Sequence, residues 1–85
     1  MYVHLGGNVV VSDKDIIAIF DMDVVTTSEA TLQFLKIAEE EGFIVRISSE
    51  KPKSFIITER DKRSVIYLSP ISAFTLIKRT QKIDA

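Results

Sequence analysis

The chain has 85 residues, a formal net charge of −1 and a hydrophobic content of 46%, which is high for so short a protein. Residues 1–85 are expected to form one small domain, whose own core is marginal because a short chain buries little surface. Without cysteine, the chain can form no disulfide and supply no thiolate metal ligand. The apolar surplus fits either one dense core or burial between subunits, and we favour the second, a homo-oligomer.

Charge is divided unevenly along the chain. Residues 1–45 carry eight acids and two bases, whereas residues 46–85 carry nine bases and four acids, so the halves have net charges of −6 and +5. This division fits a polyanionic partner, complementary surfaces that meet in an assembly, or simply solvated charge. No run is long and apolar enough to span a bilayer, and the N-terminus lacks a signal-peptide pattern, so we expect a cytoplasmic protein without membrane contact.

Three short strands are predicted before the first helix. Residues 2–5 alternate in the manner of a strand, and a turn-forming Gly6-Gly7-Asn8 cluster follows them. Residues 9–11 are a β-branched run, which favours a strand. Residues 16–20 are apolar throughout, which predicts either a buried strand or a strand with one face in the core and the other against a neighbour.

The first helix has a recognisable start and end. Thr26 and Glu29 have capping-box spacing, although Thr27 could be the N-cap instead. Gly42 suits the left-handed residue that ends many helices. The acidic residues 39–41 lie where the helix dipole disfavours negative charge, which suggests a nearby basic partner or solvent screening.

The second half predicts three more strands, over residues 43–47, 54–58 and 64–68. A fully charged hairpin tip, residues 59–63, joins the last two. Ser69 and Pro70 predict an N-cap and first residue of a second helix, which runs to about Thr80. The predicted fold is α+β in the order βββαβββα, with a mostly antiparallel sheet of about five to six strands and two helices.

The residues give little support for catalysis or metal binding. His4 is the single histidine, and no neighbour in the sequence orients it as a general base. Asp21-Met22-Asp23 resembles a phosphatase nucleophile motif, but the chain is too short to supply that family's further motifs. The glycines of the turn cluster lack the Gly-Lys-Ser/Thr of a phosphate loop. We therefore predict no enzyme, no catalytic residue, no metal and no cofactor.

Basic residues offer a more specific hypothesis, namely contact with nucleic-acid phosphates. Lys51 and Lys53 precede the strand at 54–58, whereas three bases of the hairpin tip follow it, so they should form two small patches at opposite ends of that strand. A secondary set lies near the end of the last helix. The predicted nucleic-acid contacts are Lys51, Lys53, Arg60, Lys62, Arg63, Lys78 and Arg79.

Three groups of segments carry a resemblance to a known family. They are Tyr2-Val3-His4-Leu5-Gly6-Gly7 with Val9-Val10-Val11 and Asp15-Ile16-Ile17-Ala18-Ile19-Phe20-Asp21; Pro52-Lys53-Ser54-Phe55-Ile56-Ile57-Thr58; and Tyr67-Leu68-Ser69-Pro70-Ile71-Ser72 with Thr75-Leu76 and Lys78-Arg79. Together they resemble the RemA/RemB family of small bacterial extracellular-matrix regulators, in particular its RemB-type members. The resemblance covers nearly the whole chain, and its specificity lies in the ordered set, since no single motif is diagnostic.

This resemblance implies a regulator of biofilm-matrix gene transcription that assembles into a cyclic homo-oligomer, binds double-stranded DNA and has a LytTR-like fold. Asp15 stands where RemA-type members have an arginine, and Glu50 and Lys51 stand where they have an arginine pair. An acid in place of an arginine reverses the interaction with a phosphate. Lys53 retains a later basic position.

Two functional hypotheses remain. The first is the self-assembling, DNA-contacting regulator, with interface residues on the N-terminal strands at Tyr2, His4, Val9 and Val11. The second is a protein-interaction module without nucleic-acid binding. Its acidic face would consist of Asp13, Asp15, Asp21, Asp23 and residues 39–41.

Overall fold

A computed structural model describes residues 1–81 of the chain. Its elements are β1 (Tyr2–Gly6), β2 (Val9–Ser12), β3 (Ile16–Asp21), α1 (Asp23–Thr27), α2 (Glu29–Glu40), β4 (Ile44–Arg46), β5 (Ser54–Arg60), β6 (Arg63–Ser69) and α3 (Ala73–Thr80), with a short 3-10 turn at Asp13–Asp15. The predicted α+β class and strand order are confirmed. The short helix α1 was not predicted.

Four strands form one sheet in the order β3-β5-β6-β4, and β1 and β2 form a separate antiparallel hairpin. In the sheet, β3 and β6 both run antiparallel to β5, while β4 pairs with β6 in parallel. The sheet is therefore mostly antiparallel, as predicted, and β3 and β4 are its two edges. It has four strands rather than the predicted five to six, because β1 and β2 pair only with each other. The hairpin turn contains Gly7, whose φ of +53° is easy for glycine.

The sheet is buried on both faces because successive side chains of a strand point to opposite sides. Phe55 of β5 faces α2 and packs with Leu35 and Ala38. Ile56, the next residue, faces the other way and joins a second core beneath the β1–β2 hairpin and α3. The buried members of that second core are Val3, Leu5, Ile56 and Leu76.

Both predicted helix starts were wrong by a few residues. Helix α2 begins at Glu29, and its N-cap is Ser28, whose side chain accepts a hydrogen bond from the Thr31 backbone nitrogen at 3.2 Å. The backbone of Ser28 is extended, with φ −131° and ψ 110°, and it separates α2 from α1. Thr26 and Thr27, the predicted caps, belong to α1.

Helix α3 begins at Ala73 with Ser72 as its N-cap, rather than at Pro70 after Ser69. Ser69 is the last residue of β6, and its hydroxyl donates to the Leu5 backbone oxygen at 2.6 Å. The same hydroxyl accepts a hydrogen bond from the Ile71 backbone nitrogen, so its two hydrogen bonds connect the loop after β6 with the β1–β2 hairpin. Sequence propensity alone does not reveal these two hydrogen bonds.

The charged hairpin tip is also tighter than predicted. Arg60 ends β5 and Arg63 begins β6, so the turn consists only of Asp61 and Lys62. Their φ angles are 53° and 67°, which is the backbone of a two-residue type I′ hairpin. Neither residue is glycine, so the turn carries local strain.

Candidate nucleic-acid interface

The predicted phosphate contacts lie at both ends of β5. Lys51 and Lys53, here called the loop-end cluster, precede this strand, and Arg60, Lys62 and Arg63, the hairpin cluster, lie where it ends. A seven-residue strand is about 20 Å long. The two clusters are therefore about 20 Å apart and form two separate patches, as the sequence predicted.

The loop-end cluster projects from an anchored backbone. The Lys53 backbone nitrogen donates to the Ser69 oxygen at 2.8 Å, and the Lys53 oxygen accepts from the Met22 nitrogen at 3.0 Å. The two lysines line a cleft of about 500 Å³ that also contains Asp21. Both lysines are exposed and have no ion pair in the described part of the chain, so they can reach a phosphate.

In the hairpin cluster, Arg60 is already partnered. Its Nη1 donates to Asp15 Oδ2 at 3.4 Å, and its Nε lies 4.0 Å from Asp61 Oδ2. The Asp15 side chain is only 21% exposed, whereas that of Arg60 is 69% exposed. The carboxylate is therefore mostly buried, while the arginine side chain lies on the surface. Within residues 1–81, Lys62 and Arg63 form no ion pair.

The secondary basic set on α3 is engaged within the protein. Arg79 is half-buried, and its Nη1 donates to the His4 backbone oxygen at 2.8 Å, which ties α3 to β1. The Lys78 Nζ lies 5.1 Å from the centre of the Phe74 ring, at cation–π distance. Both side chains have structural contacts that a phosphate would have to replace or share.

The predicted interface residues divide between two faces of the β1–β2 hairpin. Tyr2 is 71% exposed and His4 is also exposed, so both are available to a neighbouring subunit. Val9 and Val11 point inward and pack against the second core. Val10, which is 54% exposed and pairs with His4, completes the outer face. Sequence reasoning missed Val10 because a run of three valines does not reveal which one points outward.

Other kinds of site find little support in residues 1–81. The His4 ring is hydrogen-bonded to the Gly7 backbone oxygen at 2.8 Å. No group of three or more potential metal-ligating side chains occurs there. In the same part of the chain, no helix is long and apolar enough to cross a membrane.

Comparison with known proteins identifies close similarity over nearly the whole chain. The profile of the family described as "RemA-like: Extracellular matrix regulatory protein A-like" matches residues 2–80. The chain is also 40% identical over 81 residues to "Extracellular matrix regulatory protein B" of Bacillus subtilis (strain 168). That alignment covers 95% of this chain and 91% of the relative.

Proposed function

Because the chain belongs to the RemA-like family of extracellular matrix regulatory proteins, we propose that it is a self-assembling regulator of matrix-gene transcription that contacts DNA phosphates. The observation that carries the proposal is a set of four predicted contacts that form no ion pair within residues 1–81, namely Lys51, Lys53, Lys62 and Arg63. They lie in two clusters separated by the length of β5. We propose no catalytic role.

Assembly is needed because one subunit offers little positive potential. Asp21 lines the cleft of the loop-end cluster, and Asp15 and Asp61 accompany the hairpin cluster. A cyclic homo-oligomer repeats the clusters along a DNA surface, so that individually weak contacts add. Contacts of this kind position a protein on DNA without reading base sequence. The binding is accordingly weak and steeply dependent on salt.

The test is a titration of fluorescently labelled duplex DNA at two salt concentrations. Four phosphate contacts give a log–log slope of about −3.6 per bound subunit, which is a loss of roughly 100-fold between 50 and 200 mM salt. Lys53→Glu and Lys62→Glu should each weaken binding and make the slope shallower by about 0.9. Lys36→Glu, an exposed lysine on α2, makes the same charge change outside both clusters and serves as the control.

Two results would contradict this function. One is tight binding that survives high salt, because phosphate contacts alone cannot produce it. The other is no binding by protein that circular dichroism and light scattering show to be folded and assembled. A monomer at tens of micromolar in light scattering would separately contradict the self-assembly.

The second candidate function is a protein-interaction module without DNA binding. It is favoured by the acids beside both basic clusters and by the acidic C-terminal end of α2. There Glu39 pairs with Arg46 at 3.3 Å, whereas Glu40 and Glu41 are exposed at a helix end that disfavours negative charge. A basic partner would relieve this cost. Failure of DNA binding by the assembled protein would direct the search to such a partner.

A further inference from the structure

A cleft of about 490 Å³ lies between the residues that precede β4 and the start of β6. Ligand pockets in proteins have volumes of roughly 300–1,000 Å³, so this cleft is large enough for a small molecule or for one unit of a polymer. We call it the aromatic cleft. It is lined by Gly42, Phe43, Lys62, Arg63, Ser64 and Val65.

Phe43 is exposed in this cleft although its backbone is fixed. The Phe43 nitrogen donates to the Ala38 oxygen at 2.9 Å, and the Phe43 oxygen accepts from the Ile66 nitrogen at 2.8 Å. Even so, 46% of the residue is exposed. The space beside Gly42 is open, because a Cβ there would meet nothing within 4 Å beyond the neighbouring residues of the chain. The ring is therefore a preorganised flat surface that a ligand can reach without rearranging the backbone.

Two cations that form no ion pair within residues 1–81, Lys62 and Arg63, line the same cleft. Strand alternation places Arg63 and Phe43 on one face of the sheet. Ile44 and Ile66 are paired neighbours that pack in the core beneath α2. Phe43 lies one residue before Ile44, and Arg63 lies three residues before Ile66, so both point to the opposite face.

The aromatic cleft has no acidic residue in its lining, unlike the other clefts beside the basic clusters. Asp21 lines the cleft of the loop-end cluster, and Asp15 and Asp61 line the groove that contains Arg60. The acidic residues 39–41 at the end of α2 are near in sequence, but they do not line the aromatic cleft. A flat ring and two cations, without an acid between them, fit a ligand that is both aromatic and anionic.

We propose that the aromatic cleft binds one unstacked nucleotide, with its base on the Phe43 ring and its phosphate on Lys62 and Arg63. Every base has a π face, so stacking on an aromatic side chain tolerates any sequence. The two cations supply charge-assisted hydrogen bonds to the phosphate oxygens. This contact goes beyond the proposed function, because the bases of a duplex are stacked inside it and cannot reach Phe43. A single strand and a free nucleotide offer the same chemistry.

The first test compares single-stranded and duplex DNA as ligands. Phe43→Leu keeps an apolar side chain but removes the ring, so it should weaken binding of a labelled oligothymidylate roughly 5- to 150-fold, the loss expected for one stacked base. Duplex binding should keep its affinity and salt slope, because the phosphate contacts remain. Phe43→Tyr, which keeps a ring, should bind the oligothymidylate as the wild type does.

A matched control is available on α2. Phe34 is 44% exposed, compared with 46% for Phe43, and it lies in a notch without a charged lining residue. Phe34→Leu therefore makes the same change in an equally exposed aromatic side chain outside the aromatic cleft, and it should leave oligothymidylate binding unchanged. Circular dichroism checks that all variants are folded.

The outcomes separate this inference from the proposed function. A folded Phe43→Leu that binds the oligothymidylate as tightly as the wild type overturns the inference and leaves the duplex contacts intact. An equal loss in Phe34→Leu also overturns it, because that result indicates a general apolar effect. Oligothymidylate binding that depends on Phe43, without any duplex binding, supports the inference and contradicts the proposed function.

A second test observes the stacking directly. The chain contains no tryptophan, so Phe43→Trp introduces a single indole into the cleft. A base stacked on this ring should quench its fluorescence, whereas the emission of Phe34→Trp should not change. Quenching by the oligothymidylate at a much lower concentration than by thymidine monophosphate assigns the cleft to a strand, and quenching at similar concentrations assigns it to a free nucleotide. Quenching by neither ligand, in folded protein, overturns the inference.

Discussion

We expect the Asp15→Asn substitution to strengthen DNA binding, because it frees Arg60 for a phosphate. In the present structure Asp15 Oδ2 accepts from Arg60 Nη1 at 3.4 Å, so the charge of this arginine is largely matched within the protein. The asparagine keeps the size of the side chain and removes one negative charge beside Lys62 and Arg63. The Arg60 side chain is 69% exposed, so loss of the ion pair should lower stability by less than about 1 kcal/mol.

The expected magnitude follows from counting phosphate contacts. Adding Arg60 to the four proposed contacts Lys51, Lys53, Lys62 and Arg63 changes the salt slope from about −3.6 to about −4.5 per bound subunit. If the additional contact contributes nothing at 1 M salt, it should raise the affinity for DNA about eightfold at 0.1 M salt. The assay is the same fluorescence titration at several salt concentrations. Glu29→Gln, which removes the same charge from the exposed start of α2, is the control.

The reasoning would be refuted if folded Asp15→Asn bound DNA with the same affinity and slope as the wild type. That result would mean that Arg60 contributes no phosphate contact even when its acidic partner is gone. A gain of similar size in Glu29→Gln would instead show that net charge, rather than the Asp15–Arg60 pair, controls binding.

Three further predictions concern stability and can be checked by urea denaturation. Lys62→Gly should stabilise the protein by about 0.5–1 kcal/mol, since φ is 67° there, while weakening DNA binding in the titration. Ser69→Ala should cost about 1–3 kcal/mol, because it leaves the buried Leu5 oxygen without the 2.6 Å hydrogen bond; an unchanged midpoint would contradict this role. Leu76→Ala should cost about 2–5 kcal/mol, because Leu76 is fully buried in the second core; a loss below 1 kcal/mol would mean that α3 contributes little to that core.

The sequence predicts strand positions well because β-branched and alternating runs are local signals. It also predicts that Lys51 and the hairpin cluster lie at opposite ends of one strand, since strand geometry alone separates them. The start of α3 was missed because Ser69 and Ser72 are equivalent as caps until the Leu5 oxygen is known to bind Ser69. The ion pair between Asp15 and Arg60 joins residues 45 positions apart, and only the pairing of β3 with β5 brings them together.

The exposure of the β3 edge could not be predicted from the sequence, for a similar reason. A continuous apolar run predicts a strand that is buried on both faces, and residues 16–20 do have that pattern. Whether such a strand lies inside a sheet or at its edge depends on the order of strands, which the run does not encode. The register shift that exposes Ile17 depends on how β3 aligns with β5, so it too becomes visible only in the folded chain.

The position of each surface bears on whether assembly and DNA binding can coexist. Tyr2 and Val11, predicted as interface residues, line a groove of about 350 Å³ together with Arg60 and Arg63. A subunit seated on this groove would cover part of the hairpin cluster, so it would compete with DNA there.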